Sequence, residues 1–292
     1  MIAKIRVPGT SANIGPGFDT LGMAVNIYAE FKFEELNKGL HINGDEKKFA
    51  DETNLIYLSF LKGLNHIGKK VNGLAIDVNS DIPISRGLGS SSACIVGGIL
   101  GAYAITNTKI DLEDIFALAT KIEGHPDNIS PAIFGGLTCS CTIDEKSYHV
   151  KYNIDKRFNF VALIPNFESN THAARKILPG GYNLRDVVYS SSRLGIILKA
   201  FENYDKNLLN IAMGDKIHEP YREKIIHEYS EVKQICKDID SICFFISGSG
   251  STLMNVVEDV RNIDVISEKL KKLKFGWTTK LLKIDLDGAK IL

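Results

Sequence analysis

The stretch with the clearest chemical potential is Pro83-Ile84-Ser85-Arg86-Gly87-Leu88-Gly89-Ser90-Ser91-Ser92-Ala93. Two glycines and three consecutive serines lead into an apolar run from Cys94 to Ile105, which predicts a buried helix. A Gly/Ser turn feeding a helix N-terminus leaves backbone N–H groups without intrahelical acceptors, and the helix dipole adds partial positive charge there. An anion suits such a site, a phosphate chain above all. Glycine admits close approach of the backbone, and serine hydroxyls can reach a phosphate oxygen or a metal. The stretch carries neither Gly-Lys-Ser/Thr nor the GxGxxG spacing, so neither usual phosphate loop describes it. Taken alone, it also serves as an ordinary cap on a core helix.

Three further stretches offer polar groups. Pro8 to Gly22 holds four glycines and two prolines in fifteen residues, which predicts a long irregular excursion. Asn13 and Asp19 are its side chains best suited to a substrate, although both types also cap local turns. Glu123-Gly124-His125-Pro126-Asp127-Asn128 gathers two carboxylates, an imidazole and an amide within six residues. Glu123 offers a hard oxygen for a metal-bound phosphate, and Asn128 or His125 can orient a hydroxyl nucleophile. A solvated helix end and a turn histidine remain the plainer readings of Glu123 and His125. Ser247-Gly248-Ser249-Gly250-Ser251-Thr252 joins two apolar strands. It is either a simple hairpin turn or, through Gly248 and Ser249, a second source of N–H groups for an anion.

The surrounding elements set limits on these groups. A chain of 292 residues with 44% hydrophobic content accommodates one large or two medium domains. Its 35 basic residues balance 35 acidic ones, with no basic stripe, which excludes a nucleic-acid partner as an expectation. No signal peptide opens it, and the longest apolar run, Ala93 to Ile105, is too short for a bilayer, so the expected location is cytoplasmic, away from membranes. Five cysteines without a CxxC pair fit reduced cytosolic thiols, with Cys139 and Cys141 expected as core residues on one face of a strand.

Strands are expected at Ile2 to Val7, Met23 to Glu35 and Leu74 to Val78, with a polar surface segment over 34–52. A helix from Thr53 to Ile67 is expected to turn Leu55, Leu58, Leu61 and Leu64 to one apolar face. Asp111 caps a further helix, with Leu112, Ile115, Phe116, Ala119 and Ile122 as its stripe. A domain boundary falls near Asp155-Lys156-Arg157. The second half then reads strand, helices, two strands, helix and strand, with Val187, Val188, Leu194, Ile197 and Leu198 apolar on a helix from Leu184.

In this order, the Asn13/Asp19 loop, the Gly87–Ala93 loop and the Ser247–Gly250 turn resemble the GHMP superfamily of small-molecule kinases. Pro8-Gly9-Thr10-Ser11-Ala12-Asn13-Ile14-Gly15-Pro16-Gly17-Phe18-Asp19 is similar to the first motif of the homoserine kinases within it, with Gly9 where alanine is usual. Glu123 to Asn128 and Ala174-Arg175-Lys176-Ile177-Leu178-Pro179 are similar to that group as well. The resemblance covers nearly the whole chain.

It implies an α+β fold of two domains. Residues 1–156 would form an N-terminal ATP-binding domain like the second domain of ribosomal protein S5, and residues 157–292 a ferredoxin-like C-terminal domain. It implies transfer of the ATP γ-phosphate to the side-chain hydroxyl of L-homoserine, in threonine biosynthesis. ATP's phosphates would lie on the Pro83–Ala93 loop, Mg2+ on Ser92 and Glu123, and adenine near Asn54. Asn13, Asp19, Arg175 and Arg222 would read the amino acid's amine and carboxylate, His125 and Thr171 would lie beside it, and Asn128 would meet its hydroxyl. A zwitterion calls for a carboxylate and a guanidinium, which agrees with Asp19 and the two arginines. No dedicated base stands out, so the hydroxyl proton is expected to pass to the phosphate, with Asp127 as the rival acceptor. Superfamily members are often dimers, which makes a homodimer an expectation of the resemblance. Two alternatives stand beside this reading: a relative acting on mevalonate or a phosphorylated alcohol, and a sensor that binds ATP or an amino acid without turnover.

Overall fold

The computed structural model describes residues 1–44 and 50–292, so part of the polar 34–52 segment, residues 45–49, lies outside the described residues. In chain order the elements are β1 (Ile2–Ala12), β2 (Leu21–Leu36), β3 (Gly39–Asn43), α1 (Leu55–His66), β4 (Gly73–Ser80), α2 (Ser90–Ile105), α3 (Leu112–Glu123), α4 (Ile129–Phe134), β5 (Leu137–Ile143) and β6 (Lys146–Tyr152). There follow β7 (Asn159–Ile164), α5 (Thr171–Lys176), α6 (Leu184–Asn203), α7 (Lys206–Ala212), α8 (Glu219–Arg222), α9 (Tyr229–Ile239), β8 (Cys243–Ile246), β9 (Leu253–Val257), α10 (Asn262–Leu270), β10 (Thr278–Leu282) and β11 (Lys290–Ile291). The chain is mixed α+β, as the resemblance implies.

The first sheet runs β11-β1-β2-β4-β3, and β5 with β6 continues it from the start of β2. On the side away from β1, β2 serves two neighbours, pairing β4 through Ala29–Leu36 and β5 through Leu21–Met23. The β1–β2 register shifts between Pro8 and Gly9, so the strand carries through both residues and ends at Ala12. The irregular excursion is therefore shorter than the glycine and proline content predicts, and it begins at Asn13.

Helix α2 is apolar all round and is buried along most of its length, as expected of a central core helix. Its contact with α1 is close: a Cβ on Gly98 would lie 2.4 Å from the Ile56 carbonyl oxygen. That approach buries the small-residue face of α1, with Ile56, Ser59, Phe60, Gly63 and Leu64 inside. Leu55, Leu58 and Leu61 are consequently exposed, contrary to the leucine stripe read from the sequence. Their three-residue repeat drifts off the 3.6-residue face that packs.

The second sheet has the order β10-β7-β9-β8, fully antiparallel, and its elements follow a β-α-β-β-α-β sequence. Alternation divides its side chains cleanly. Phe160, Ala162, Met254, Val256 and Phe245 join the large core that extends from the first sheet, together with Ile197, Leu198 and Phe201 of α6. Val161, Leu163, Leu253, Val257 and Ile246 form a separate core with Val232 and Cys236 of α9 and Ile266 and Leu270 of α10. Val187 and Val188 of α6 are exposed, outside the stripe they were expected to join.

After β10 the chain crosses back, and β11 pairs with β1 in the first sheet, an excursion without a marker in the sequence. Cys139 and Cys141 occupy alternate positions of β5, but Cys141 is exposed because the β5–β6 hairpin projects beyond the packed part of the sheet. All five cysteines are free. No helix among the described residues is long and apolar enough to cross a membrane.

Candidate active site

A cleft of about 350 Å³ lies where the two sheets meet, and the polar stretches singled out above converge on it. Of the residues that the sequence analysis assigns to ATP, metal or amino acid, only Pro83 and Leu88 do not line it. Leu88 instead buries its side chain in the core, while its carbonyl accepts the Thr10 N–H at 3.0 Å.

One wall is the Gly/Ser loop. Gly89 is the N-cap of α2 in the left-handed region, with φ of 75°, and no side chain caps the helix. A Cβ there would meet Thr10 Oγ1 at 2.0 Å, so only glycine brings this turn against β1. The free N–H groups of the first turn and the helix dipole give an anion-seeking end. Beside it the hydroxyls of Ser91 and Ser92 donate to the two oxygens of Glu123, at 2.9 and 3.0 Å. These three groups form an all-oxygen donor set of the kind that holds a hard divalent cation.

Glu123 ends α3, and Gly124, with φ of 94°, turns the chain toward His125. His125 Nδ1 pairs with Asp127 Oδ1. Burial opposes the charged imidazole, but the carboxylates of Asp127, Glu123 and Asp19 outweigh it and raise the His125 pKa. Asn128 sits at the N-cap of α4 yet caps nothing, which leaves its amide available. Its Oδ1 accepts from Thr10 Oγ1 at 2.7 Å, and its Nδ2 faces Asp127 Oδ1 at 3.5 Å.

The other end of the cleft is charged on both sides. Asp19, with φ of 52°, takes a bidentate bond from Arg175, 2.8 Å on each arm. That hydrogen bond raises the Arg175 pKa. Arg222 is almost wholly buried, and burial lowers its pKa against the pull of Asp19. Both guanidinium groups lie over the Phe18 ring, at 5.6 Å for Arg175 and 5.1 Å for Arg222. Asp19, His125 and Asp127 also bring ligating atoms within 4.8 Å of one another, a constellation suited to a cation. With Arg175 already against Asp19, an ammonium group that shares the hydrogen bonds suits it better than a metal.

Two expected site groups are more committed than the sequence implies. Asn13 accepts the Asp19 N–H on Oδ1 at 2.9 Å and donates from Nδ2 to the Gly248 carbonyl at 2.9 Å, leaving one N–H and one lone pair. Gly248 spends its N–H on the Ala12 carbonyl, so it does not offer that N–H to an anion. Ser249 reaches Thr171, with 3.3 Å between their hydroxyl oxygens.

Residues 54–136 match the family described as GHMP kinases N terminal domain. A homoserine kinase from Clostridium kluyveri is 43% identical over 294 residues, spanning 99% of this chain and 98% of its own. One from Clostridium botulinum strain Kyoto is 41% identical over 292 residues, with the same shares of each chain. The chain belongs to the homoserine kinase family. The crystal structure of a homoserine kinase from Cytophaga hutchinsonii superposes with a TM-score of 0.89 at 27% identity, covering 100% of this chain and 97% of that one. Membership makes this chain an ATP-dependent kinase of the GHMP type.

Several parts of this family member's cleft escaped the motif reading. Phe31, Ile42, Ile56 and Val78 give it an apolar wall beside Asn54, whose Oδ1 caps α1 through the N–H groups of Ile56 and Tyr57. In the sequence Phe31 and Val78 read as strand positions and Ile56 as a helix position, while Ile42 lies in the stretch expected to be polar surface, part of which the structure forms into β3. Ser169 also lines the cleft, and its N–H bonds the Ser85 carbonyl at 2.8 Å. Behind the arginines lies His218, fully buried. Nothing in its sequence context marks it.

Proposed function

We propose that the protein transfers the γ-phosphate of ATP to the side-chain hydroxyl of L-homoserine, giving O-phospho-L-homoserine for threonine biosynthesis. The observation that carries this reading is the pairing of Asp19 with Arg175, with Arg222 close by, at one end of a cleft whose other end is a helix N-terminus. The charged end fits an ammonium and a carboxylate on one small molecule, and the helix end fits phosphates. Mevalonate, which lacks an amine, offers Asp19 no ammonium to bind.

In this reading ATP lies with its phosphates on the Gly87–Ala93 turn and its base against the apolar wall near Asn54. The Ser91, Ser92 and Glu123 oxygens fit Mg2+, and Glu123 with Ser92 would hold it. When bound, the ion supplies neutralisation of phosphate charge. The α2 N-terminus does the same from the protein side, as phosphoryl transfer through a loose transition state requires. Asp19 and Asp127 take the ammonium, Arg175 and Arg222 the carboxylate, and Asn128 directs an N–H at the hydroxyl oxygen. Asp127 Oδ1 already accepts from His125 and from both the backbone and side-chain N–H groups of Asn128. With Oδ1 committed to those donors and Oδ2 assigned to the ammonium, the hydroxyl proton passes to a phosphate oxygen. His125 balances the Asp127 charge beside it, and Thr171 with Ser249 closes the flank.

The architecture fits an S5 domain 2-like N-terminal domain over residues 1–156 and a ferredoxin-like C-terminal domain over 157–292. The β-α-β-β-α-β order and the β10-β7-β9-β8 sheet support the second assignment, and β11 is a strand of the latter half that joins the sheet of the former.

ADP release from MgATP tests the reading, with L-homoserine, mevalonate, L-serine and no acceptor in parallel. Saturable turnover with homoserine alone is the expected result. Turnover with mevalonate would overturn the acceptor, and ATP binding without turnover on any acceptor would favour a sensor.

A further inference from the structure

His218 takes no part in the chemistry above, yet it is fully buried directly behind the proposed carboxylate end of the cleft. Its backbone N–H donates to Asp215 Oδ2 at 2.7 Å, and Asp215 also accepts the N–H groups of Ile217 and Glu219 and the hydroxyl of Ser190. The imidazole is thereby fixed at its root. Its ring stacks on Phe18, with centroids 5.3 Å apart and planes 22° from parallel. Nε2 lies 2.9 Å from the Gly15 carbonyl oxygen. A carbonyl only accepts, so Nε2 carries the proton. Burial lowers the ring's pKa and keeps it neutral, which leaves Nδ1 as an acceptor. Nδ1 faces Arg222 Nη1 at 3.4 Å.

Arg222 Nη1 also donates to the Gly248 carbonyl at 2.8 Å, and Nε lies 3.4 Å from the Ala174 carbonyl. Among the described residues no hydrogen bond engages Nη2, and Arg222 lines the cleft. One imidazole therefore grips the loop that carries Asp19, through Gly15 and Phe18, and the arginine that faces the cleft from the second half of the chain.

We propose that His218 is a positioning residue for the amino-acid substrate: it registers the Gly15–Asp19 loop against Arg222, so that the acceptor for the ammonium and the donor to the carboxylate hold one fixed separation. This rests on the homoserine reading of the same cleft. ATP lies at the other end and does not depend on this contact. A residue that merely supports the fold would affect both substrates alike.

The test is steady-state kinetics of the full chain with each substrate varied. His218→Phe keeps an aromatic ring against Phe18 but removes both hydrogen bonds. It is expected to raise KM for homoserine about tenfold or more, the scale of a lost hydrogen bond to a charged group, with KM for ATP within about twofold. His218→Gln, which can offer an N–H and an oxygen, is expected to recover part of the loss. Adding His218→Phe to Arg222→Gln is expected to cost less than it does in the wild type, because part of its effect runs through Arg222. Parallel changes in both KM values, or an unchanged homoserine KM in a folded variant, would overturn the proposal. Nitrogen NMR of the wild-type imidazole tests it without a variant: a neutral Nε2–H ring is expected near pH 7, and a proton on Nδ1 would overturn it. Absence of homoserine turnover by the wild type would instead refute the acceptor reading, and leave the NMR result to judge the His218 contact by itself.

Discussion

Replacing Thr10 by valine tests how the nucleophile is oriented. Thr10 is fully buried on β1, and its hydroxyl donates to Asn128 Oδ1 at 2.7 Å. The Asn128 amide cannot be reversed, because its oxygen would then face Asp127 Oδ1, now 3.5 Å from Nδ2. Thr10 and Asp127 together thus aim the remaining N–H into the cleft, as a donor to the substrate oxygen. Valine preserves the shape of threonine and removes only the donor, which leaves the Asn128 oxygen unsatisfied. That penalty is about 1–3 kcal/mol. Felt in the transition state alone, it lowers kcat by about fivefold to 150-fold with KM for ATP unchanged. Thr10→Ser keeps the donor and is expected to stay within about threefold of wild type by the same scale. Coupled measurement of ADP release gives both constants, and a melting curve shows whether the variant is folded. A folded Thr10→Val enzyme with kcat within about twofold of wild type would refute the reasoning, since the lost bond would then have no bearing on Asn128.

Asp19→Asn removes the carboxylate that faces Arg175 through two bonds of 2.8 Å. Both side chains are partly exposed, so the stability cost is expected to stay below about 1 kcal/mol, read by thermal unfolding. KM for homoserine is expected to rise about tenfold or more while KM for ATP holds, because a charge-assisted bond to the ammonium is lost. Glu219 makes a different, pH-dependent contribution. Burial pushes its pKa up to about 8, partly offset by the Ile246 N–H bond. The folded protein holds the Glu219 proton that the unfolded chain releases near pH 4.5. Its contribution is therefore complete below that pH and is lost as pH rises toward 8, at about 1.4 kcal/mol per pH unit within the window. Glu219→Gln is expected to remove this slope and to melt higher than wild type above pH 8. Parallel pH profiles for the two proteins would refute it.

The sequence made individual groups legible wherever glycine, serine and polar residues clustered within a few positions. Ser92 and Glu123 reach each other as their motifs suggest, 31 residues apart, because α2 and α3 pack side by side. Partners that no motif connects stayed hidden. Thr10 reads as one hydroxyl among several, and its bond to Asn128 spans 118 residues. His218 is hidden for the same reason, since its contact with Gly15 spans 203 residues. The leucine repeat of α1 misled because periodicity identifies an apolar face but not the small residues, here Ser59 and Gly63, through which two helices come closest. Likewise β11 has too few residues to announce itself, and only its pairing with β1 gives it a place in the first sheet.

The Ser247–Gly250 turn shows how an element with a plain sequence ties these distant partners together. Its Ser247 hydroxyl donates to the Gly87 carbonyl at 2.6 Å and accepts from Ser11 Oγ at 2.7 Å. Gly248 gives its N–H to Ala12 and takes bonds from Asn13 and Arg222 on its carbonyl. The turn thus fastens the end of β1, the Gly/Ser loop and the buried arginine to one hairpin of the second sheet. A composition of glycine and serine, read from sequence as a source of anion-binding N–H groups, serves here because small residues admit this many backbone contacts at once. The two ends of the cleft keep their spacing only while that hairpin is docked, so the geometry of transfer depends on the packing between the sheets as much as on the groups that face the substrates.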